Sequence, residues 1–239
     1  MNAPEKQWRL PLLLTTESEC PYLPEQQSRN AFVDSAIPIS TDLYTVLLHN
    51  GFRRSGTDVY RPYCKQCQAC IPVRVVVDEF HANRSQRRTA KRNQDLQWRI
   101  ETPPLTDAHY QLYARYLEAR HSDGGMYPPD RQQFDRFLTA EWADTELVCL
   151  YQDQQLVGVM VADRVLDGMS AVYSFFEPEL AGRSLGVQLV LSLIEYTRSL
   201  GLAYCYLGYY ISDCAKMNYK ARYQPVEALL DGKWTPYQV

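Results

Sequence analysis

The sequence has no hydrophobic segment long enough to cross a membrane as a helix. None of its apolar runs approaches the ~20 residues that a bilayer-spanning helix needs. The first residues lead into no apolar targeting segment, because residues 10–14 form too short a run and have no basic flank. We therefore expect neither an integral membrane protein nor a secreted one.

An excess of one charge sign is also absent. The 25 basic and 28 acidic residues give a net charge of −3, which excludes a highly cationic nucleic-acid coat protein. Any contact with RNA must therefore come from a local basic patch. Histidine is scarce, with four scattered residues, and no Ser-His-Asp or His-x3-His arrangement can be located. A hydrolase triad is not predicted.

Cysteine and tyrosine are the notable residue types that are present. Eighteen tyrosines outnumber the seven Phe and four Trp together, which suits polar, aromatic-walled pockets as well as a core. The seven cysteines are an odd number, and without a targeting segment they favour a reducing cytoplasm over a disulfide scaffold. A chain of 239 residues can form one large domain or two modest ones.

The sequence pattern changes near residue 103 and predicts two parts. Residues 1–103 are irregular α+β, and Thr102-Pro103-Pro104 is the best candidate linker. Residues 104–239 follow the order α-α-β-β-β-α-β-α-β, which predicts a mixed sheet with helices on both faces. We therefore predict an α+β protein with a small N-terminal α+β domain and a C-terminal domain of mixed sheet and flanking helices. The predicted strands are 59–63, 71–77, 96–101, 146–151, 156–166, 169–177 and 202–209, before a last strand region after Pro225. The predicted helices are 42–49, 83–93, 107–120, one from 130, 183–200 and 216–223.

The order of elements in residues 104–239 resembles that of the GNAT-type acyltransferases, so we expect a GNAT-like transferase domain. In that fold the turn before a helix binds the donor's phosphate through backbone amides. The matching donor loop here keeps Arg183-x-x-Gly186, but Gln188 occupies the last position where a coenzyme A site has a small residue. This argues against an acetyl-CoA N-acetyltransferase. The alternative is that Gly182 and Gly186 only let strand and helix pack closely.

Ten short motifs narrow the family further. They are Cys20-Pro-Tyr-Leu-Pro24, Gly51-Phe-Arg-Arg-Ser-Gly56, Val59-Tyr-Arg-Pro62, Cys64-Lys-Gln-Cys67-Gln-Ala-Cys70, Ile71-Pro-Val-Arg74, Arg84-Ser-Gln-Arg-Arg88 with Lys91-Arg-Asn93, Tyr173-Ser-Phe-Phe-Glu-Pro178, Arg183-Ser-Leu-Gly186, Leu207-Gly-Tyr209 and Lys216-Met-Asn-Tyr-Lys-Ala-Arg222. In order and spacing the chain resembles the R-transferase family of aminoacyl-tRNA–protein transferases, nearest to its bacterial aspartate/glutamate leucyltransferase branch. The resemblance covers nearly the whole chain.

The resemblance implies an enzyme that moves leucine from leucyl-tRNA to the α-amine of proteins beginning with Asp or Glu, which marks them for N-degron degradation. The donor is an activated ester, so the chemistry needs no cofactor. Arginyl transfer is the near alternative. Two more distant hypotheses stay open, an acetyl-CoA N-acetyltransferase and a non-enzymatic, metal-stabilised tRNA-binding module.

A basic segment is the first candidate binding surface. At helical spacing Arg84, Arg88 and Lys91 share one face, with Arg87 and Arg92 beside them. Arginine binds phosphate or carboxylate through two parallel hydrogen bonds, so this face suits tRNA or the acidic acceptor. The alternative is an ordinary solvated helix face.

A second basic cluster lies near the C-terminus. Lys216, Lys220 and Arg222 alternate with Tyr219, and aromatic rings among cations suit the unstacked 3′ end of tRNA. An amphipathic surface helix without a ligand would show the same pattern.

Glu177 and Tyr173 are the candidate catalytic residues. Glu177 ends an apolar strand directly before the donor loop, where partial desolvation would suit it to proton transfer. Tyr173 shares its strand face by alternation and could line the same pocket. A surface glutamate at a strand end is the alternative, and Asp123 and Asp213 are weaker candidates because each lies in a loop.

Cys64, Cys67 and Cys70 form a C-x2-C-x2-C run, and Cys20 could add a fourth thiolate for structural zinc or an iron–sulfur cluster. In the eukaryotic arginyltransferases a second cysteine lies three residues after the first, where this chain has Leu23. Packed thiols without metal are the alternative.

Overall fold

The structure, a computed structural model, describes residues 10–238. Its helices are α1 Thr41–His49, α2 Arg84–Arg92, α3 Asp107–Arg120, α4 Arg131–Leu138 and α5 Leu185–Ser199, with 3-10 segments at Pro178–Arg183 and Asn218–Arg222. Its strands are β1 Leu12–Leu14, β2 Ser18–Glu19, β3 Gln27–Ser28, β4 Asn30–Val33, β5 Arg53–Ser55, β6 Asp58–Pro62, β7 Ile71–Val76, β8 Gln97–Glu101, β9 Asp144–Gln152, β10 Gln155–Arg164, β11 Gly168–Phe176, β12 Tyr204–Tyr210, β13 Val226–Leu230 and β14 Lys233–Tyr237. The seven predicted strands and five of the six predicted helices are confirmed to within about two residues at their ends. The predicted helix at 216–223 is wrong in type, because the chain there forms a short 3-10 segment.

Helix starts were predictable because local side chains cap them. Asn83 accepts a hydrogen bond from the backbone N–H of Gln86, whose side chain accepts from Asn83 in return. Thr106 caps α3 in the same reciprocal way with His109. Each capping box satisfies backbone donors that the first helical turn leaves without partners.

The large sheet has eight strands in the order β14-β13-β7-β12-β11-β10-β9-β8. β11 and β12 pair in parallel, and the other neighbours are antiparallel. The predicted α+β class and mixed sheet are therefore confirmed.

Helices cover both faces of this sheet. Successive residues of β9 alternate between two cores: Val148 and Leu150 face the core that contains α5, and Leu147 and Cys149 face the one that contains α3 and α4. This alternation follows from the two-residue repeat of a strand.

A four-stranded sheet in the order β1-β4-β6-β5 and helix α1 form the other part of the fold. Its link to the large sheet includes a buried ion pair, in which Arg54 of β5 donates to both carboxylate oxygens of Asp163 on β10, at 2.5 and 2.6 Å. Sequence reasoning did not predict β1–β5, because strands of two to four residues show too little alternation to recognise.

Strands on both sides of residue 103 share the large sheet. β7 lies between β12 and β13, and β8 pairs with β9 at the far edge. The division into domains 1–103 and 104–239 stays a prediction. Strands from both parts of the chain form this one sheet.

Within residues 10–238, no helix is both long enough and apolar enough to span a bilayer.

Candidate functional site

The parallel strands β11 and β12 separate partway along their length. Pairing runs from Gly168 opposite Tyr204 to Ser170 opposite Tyr206 and then stops, although both strands continue. The guanidinium of Arg53 enters this opening, where it donates to the carbonyl of Ala171 and, at 3.3 Å, to the hydroxyl of Ser170. We call this region the strand opening.

Glycine is required where β12 passes Arg53. Gly208 has a φ of +85°, and a Cβ there would lie 3.2 Å from the Arg53 Cζ atom. The register of β12 against β7 also shifts at this point. Leu207-Gly-Tyr209, one of the motifs noted in the sequence, therefore makes room for a cation beside the strand.

Lys220 is a second cation near the strand opening, and it is buried. Only 8% of its surface is exposed, and its Nζ donates to the carbonyl oxygen of Tyr209 at 2.8 Å. Burial, and then the positive charge of Arg53, lower the pKa of Lys220 to about 7. The sequence grouped Lys220 with Lys216 and Arg222 as a candidate substrate-binding cluster; its side chain is buried, whereas those of Lys216 and Arg222 are exposed.

A cavity of about 910 Å³ lies between the four-stranded sheet and the large sheet. Its walls include Tyr60 of β6, Tyr209 of β12 and the four predicted thiol ligands. Burial raises the pKa values of both tyrosines, so both rings stay neutral at neutral pH. The cavity wall therefore includes neutral tyrosine rings, as the tyrosine content suggested, together with the charged side chains of Asp58, Arg61 and Asp231.

The thiols of Cys20, Cys64, Cys67 and Cys70 line one cavity but do not form a metal centre as placed. Tetrahedral zinc with Zn–S bonds of about 2.3 Å brings its sulfur ligands to roughly 3.8 Å from one another. Within residues 10–238, no three of these sulfur atoms lie within 4.8 Å of each other. Burial, followed by the neighbouring thiols, raises the pKa of Cys70 to about 12, which favours the thiol form. The metal site stays a prediction from the sequence.

Glu177 is buried at the end of β11, and Arg115 of α3 lies over it. Nη2 and Nε of Arg115 donate to one carboxylate oxygen of Glu177 at 2.9 and 3.1 Å. Only 9% of the Glu177 side chain is exposed, against 45% for Arg115. Sequence reasoning missed Arg115, because it lies 62 residues from its partner.

Tyr173 packs among aromatic side chains under α3 and α4. Its ring lies edge-on to Phe137, with centroids 5.1 Å apart, and also contacts Tyr113 and Phe175. Burial, followed by Tyr116 and Tyr113, raises the pKa of Tyr173 above its ordinary value. Its hydroxyl therefore stays protonated at neutral pH.

The predicted basic face of α2 is exposed. Arg84, Arg87, Arg88, Lys91 and Arg92 all reach solvent. Inward positions of the same helix are polar and buried, namely Gln86, Thr89 and Asn93. α2 packs against α5, so its cations form an outer surface.

The predicted donor loop is bound to the end of α2. Arg183 donates to Asn93 Oδ1 at 2.9 Å and also pairs with Asp95, while Arg92 donates to the carbonyl of Gly182. A Cβ on Gly186 would lie 3.2 Å from the ring of Phe176, so this glycine permits close packing. Arg183 and Gly186 therefore both have structural roles here.

The two basic segments lie side by side. Asn83 and Gln86 at the start of α2 both donate to the carbonyl oxygen of Arg222, at 3.5 and 3.1 Å. Lys216, Tyr219 and Arg222 are exposed. A broad, polar cavity of about 820 Å³ lies at this junction, and its lining includes Asn83, Tyr210, Asn218, Arg222 and Gln224. We call this surface the basic junction.

The half-buried Glu101 and the buried His109 and Cys149 are the one group within residues 10–238 with ligand atoms at metal spacing. Nδ1 of His109 accepts a hydrogen bond from the backbone N–H of Thr106 at 3.0 Å. Neutral His109 therefore carries its proton on Nε2, the nitrogen that faces Glu101 at 3.4 Å and Cys149 at 3.5 Å. Burial lowers the pKa of His109. A protonated nitrogen cannot ligate a metal, so the trio is a hydrogen-bonded network.

Together, the fold and this site define an α+β protein whose mixed sheet opens between two parallel strands beside a basic surface. A similar fold occurs in the C-terminal domain of a putative lysylphosphatidylglycerol synthetase from Agrobacterium fabrum. The TM-score is 0.50 with 13% sequence identity, over 81% of this chain and 62% of that one, which is less than two thirds of its length.

Two family models match the sequence. One, described as arginine-tRNA-protein transferase, N terminus, matches residues 18–88, and the corresponding C-terminus model matches residues 108–230. The chain therefore belongs to the R-transferase family, as its motifs predicted.

Relatives in this family match over nearly the whole chain. A protein of Saccharophagus degradans named aspartate/glutamate leucyltransferase is 45% identical over 95% of this chain and 97% of its own. Another with the same name, from Alcanivorax borkumensis, is 48% identical over 90% of this chain and 89% of its own.

Proposed function

We propose that this protein is a cytoplasmic aminoacyltransferase that moves leucine from leucyl-tRNA to the α-amine of proteins beginning with Asp or Glu. The observation that carries the proposal is the set of eight relatives named aspartate/glutamate leucyltransferase, 43–48% identical over 90–97% of the chain. Such a transfer would mark the acceptor for degradation by an N-degron (N-end rule) route.

The reaction replaces an ester by an amide. The acceptor's α-amine nitrogen attacks the leucyl carbonyl carbon, a C–N bond forms, and the C–O bond to the terminal ribose of the tRNA breaks. The proton lost by the amine ends on the departing ribose oxygen. An α-amine with a pKa of about 8 is partly neutral at neutral pH, so positioning and one proton-transfer group suffice.

The strand opening is the proposed place of this reaction, in a GNAT-like C-terminal domain. Support comes from β11, the 3-10 segment and α5, which follow one another next to the only parallel strand pair in the large sheet of the described chain. Glu177 remains the proposed proton-transfer residue. Arg115 donates two hydrogen bonds to its carboxylate and so holds it directly after β11. Tyr173, protonated, would line the same pocket.

The basic junction is the proposed site for the acceptor end of the tRNA. Exposed arginine and lysine of α2 would bind phosphates. The exposed ring of Tyr219 would offer a surface for an unstacked base. A charged tRNA bound there would lie beside residues 218–222, which also carry Lys220.

Transfer of labelled leucine or arginine from charged tRNA to peptides beginning with Asp, Glu or Ala tests the proposal. We expect leucine on the Asp and Glu peptides alone. Arginine transfer would leave the family assignment intact and would replace leucyl-tRNA by arginyl-tRNA as the donor. tRNA binding without any transfer would support a binding module, and acetylation by acetyl-CoA would overturn the tRNA reaction.

A further inference from the structure

The buried Lys220 and the half-buried Arg53 bring two positive charges close together without a neutralising carboxylate. The ion pairs within residues 10–238 include neither residue. The charge of Arg53 acts on Lys220 and, after burial, is the next cause that lowers its pKa. Burial of an unpaired charge is costly, and the cost is removed either when Lys220 loses its proton or when an anion from outside the chain binds beside it.

The ammonium of Lys220 has hydrogen-bonding capacity left over. Its three N–H donors meet the Tyr209 carbonyl at 2.8 Å and, weakly, the sulfur of Met217 at 3.6 Å. Within the described chain its third donor has no acceptor. Tyr209, whose carbonyl accepts this hydrogen bond, and Cys70 form part of the wall of the 910 Å³ cavity, so the Lys220 ammonium lies directly behind that wall.

We propose that Lys220, supported by the charge of Arg53, binds the side-chain carboxylate of the acceptor's first residue. The inference rests on the proposed function, from which the acidic acceptor comes. Lys220 supplies the hydrogen bond, because its third donor is available. Arg53 already donates to Ala171 and Ser170, so its contribution is a fixed positive field.

The basic junction is the weaker candidate for this role. Its cations are exposed, and exposed ion pairs contribute little in water because solvent screens the two charges. A buried site that hydrogen-bonds a charged group discriminates strongly against a neutral analogue, because the site's own charge is then left unpaired. Selection of Asp over the nearly isosteric Asn requires that kind of discrimination.

Binding of two labelled peptides, identical except for Asp or Asn at the first position, tests the subsite with the full chain. We expect the wild-type protein to bind the Asp peptide roughly 10- to 100-fold more tightly, the range for one charge-assisted hydrogen bond. Lys220→Met and Lys220→Gln should both abolish that ratio by weakening the Asp peptide alone. The second variant retains an N–H donor for the Tyr209 carbonyl while removing the charge.

Lys233→Met is the matched control, since it removes an exposed lysine from β14 and should leave the ratio unchanged. Near-ultraviolet circular dichroism of each variant checks folding. Equal binding of the two peptides by wild-type protein overturns the subsite whether or not the variants fold, and so does an intact ratio in folded Lys220→Gln. If the protein binds the Asp peptide selectively but transfers no leucine, the subsite is supported and only the proposed function is contradicted.

Discussion

Lys220 is a buried cation whose charge changes in the neutral pH range. In an unfolded chain its pKa is about 10.4, whereas in the folded protein burial lowers the pKa to about 7. Between these values the unfolded chain binds more protons than the folded one. Stability must therefore rise with pH across this window, because the cost of burying the charge disappears as Lys220 loses its proton.

From pH 7 to pH 9, we expect the free energy of unfolding of the wild-type protein to rise by about 2 kcal/mol relative to Lys220→Met. Urea unfolding of both proteins at several pH values measures this difference. Parallel pH dependence of the two proteins would show that Lys220 keeps its proton throughout and would contradict the prediction.

Gly208 combines a positive φ with a close approach to the Arg53 side chain at the strand opening. For Gly208→Ala we expect a loss of roughly 1–3 kcal/mol, since an alanine at φ +85° is strained and its Cβ displaces Arg53. Gly232→Ala is the control, because its φ is +77° but nothing lies within 4 Å of the added Cβ. Thermal melting measures stability, and peptide binding measures the site. The prediction fails if both variants behave alike in both assays.

The buried ion pair between Arg54 and Asp163 connects strand β5 of the four-stranded sheet to strand β10 of the large sheet. Neither side chain is exposed, and Tyr44 and Thr145 also donate to Asp163. Asp163→Asn leaves the Arg54 cation buried without its partner, and we expect about 3–5 kcal/mol of lost stability in chemical denaturation.

Asp135→Asn provides the comparison for that variant. It breaks the ion pair with Arg131 at the surface of α4 and should cost less than about 1 kcal/mol. A similar, small effect of both variants would mean that the buried pair contributes little to the attachment of the two sheets.

Helix α2 presents a basic surface whose effect on RNA is measurable. We expect the double variant Arg84→Gln, Arg88→Gln to raise the KM for charged tRNA while the turnover at saturating tRNA stays the same. Each lost phosphate contact should also lower the slope of log affinity against log salt by about 0.7–0.9. Lys233→Gln is the control for removal of a surface cation. If the double variant has the same slope of log affinity against log salt as the wild-type protein, the tRNA does not bind at the basic face of α2.

At the scale of the whole molecule, the large sheet determines what can fold alone. Without residues 1–103 the sheet loses β7 from between β12 and β13 and β8 from its edge. We expect the 104–239 fragment to show no cooperative thermal transition, because the edges of β12 and β13 would lose their hydrogen-bonding partner and the core would lose Val73 and Val75. Coexpression with residues 1–103 should restore folding. A cooperative transition in the isolated fragment would instead establish the boundary predicted from the sequence.

The sequence by itself determined the elements that are encoded locally. Caps such as Asn83 and Thr106, apolar periodicity and turn residues lie within a few positions of the structure they specify, so helices and the longer strands were predictable. The exposed basic face of α2 followed from helical spacing, and the family followed from ordered motifs along the whole chain. Gly51-Phe-Arg-Arg-Ser-Gly56 even marked the segment that supplies Arg53 and Arg54, although it gave them no role.

Only the tertiary structure decided which distant residues meet and which cations are buried. Arg115 pairs with Glu177 across 62 residues, and β7 inserts beside β12 across more than a hundred residues. Lys216 and Lys220 look alike in the sequence, yet one is exposed and the other buried. The physical reason is that desolvation and pairing depend on what packs around a side chain, and long-range packing leaves no signal in local spacing.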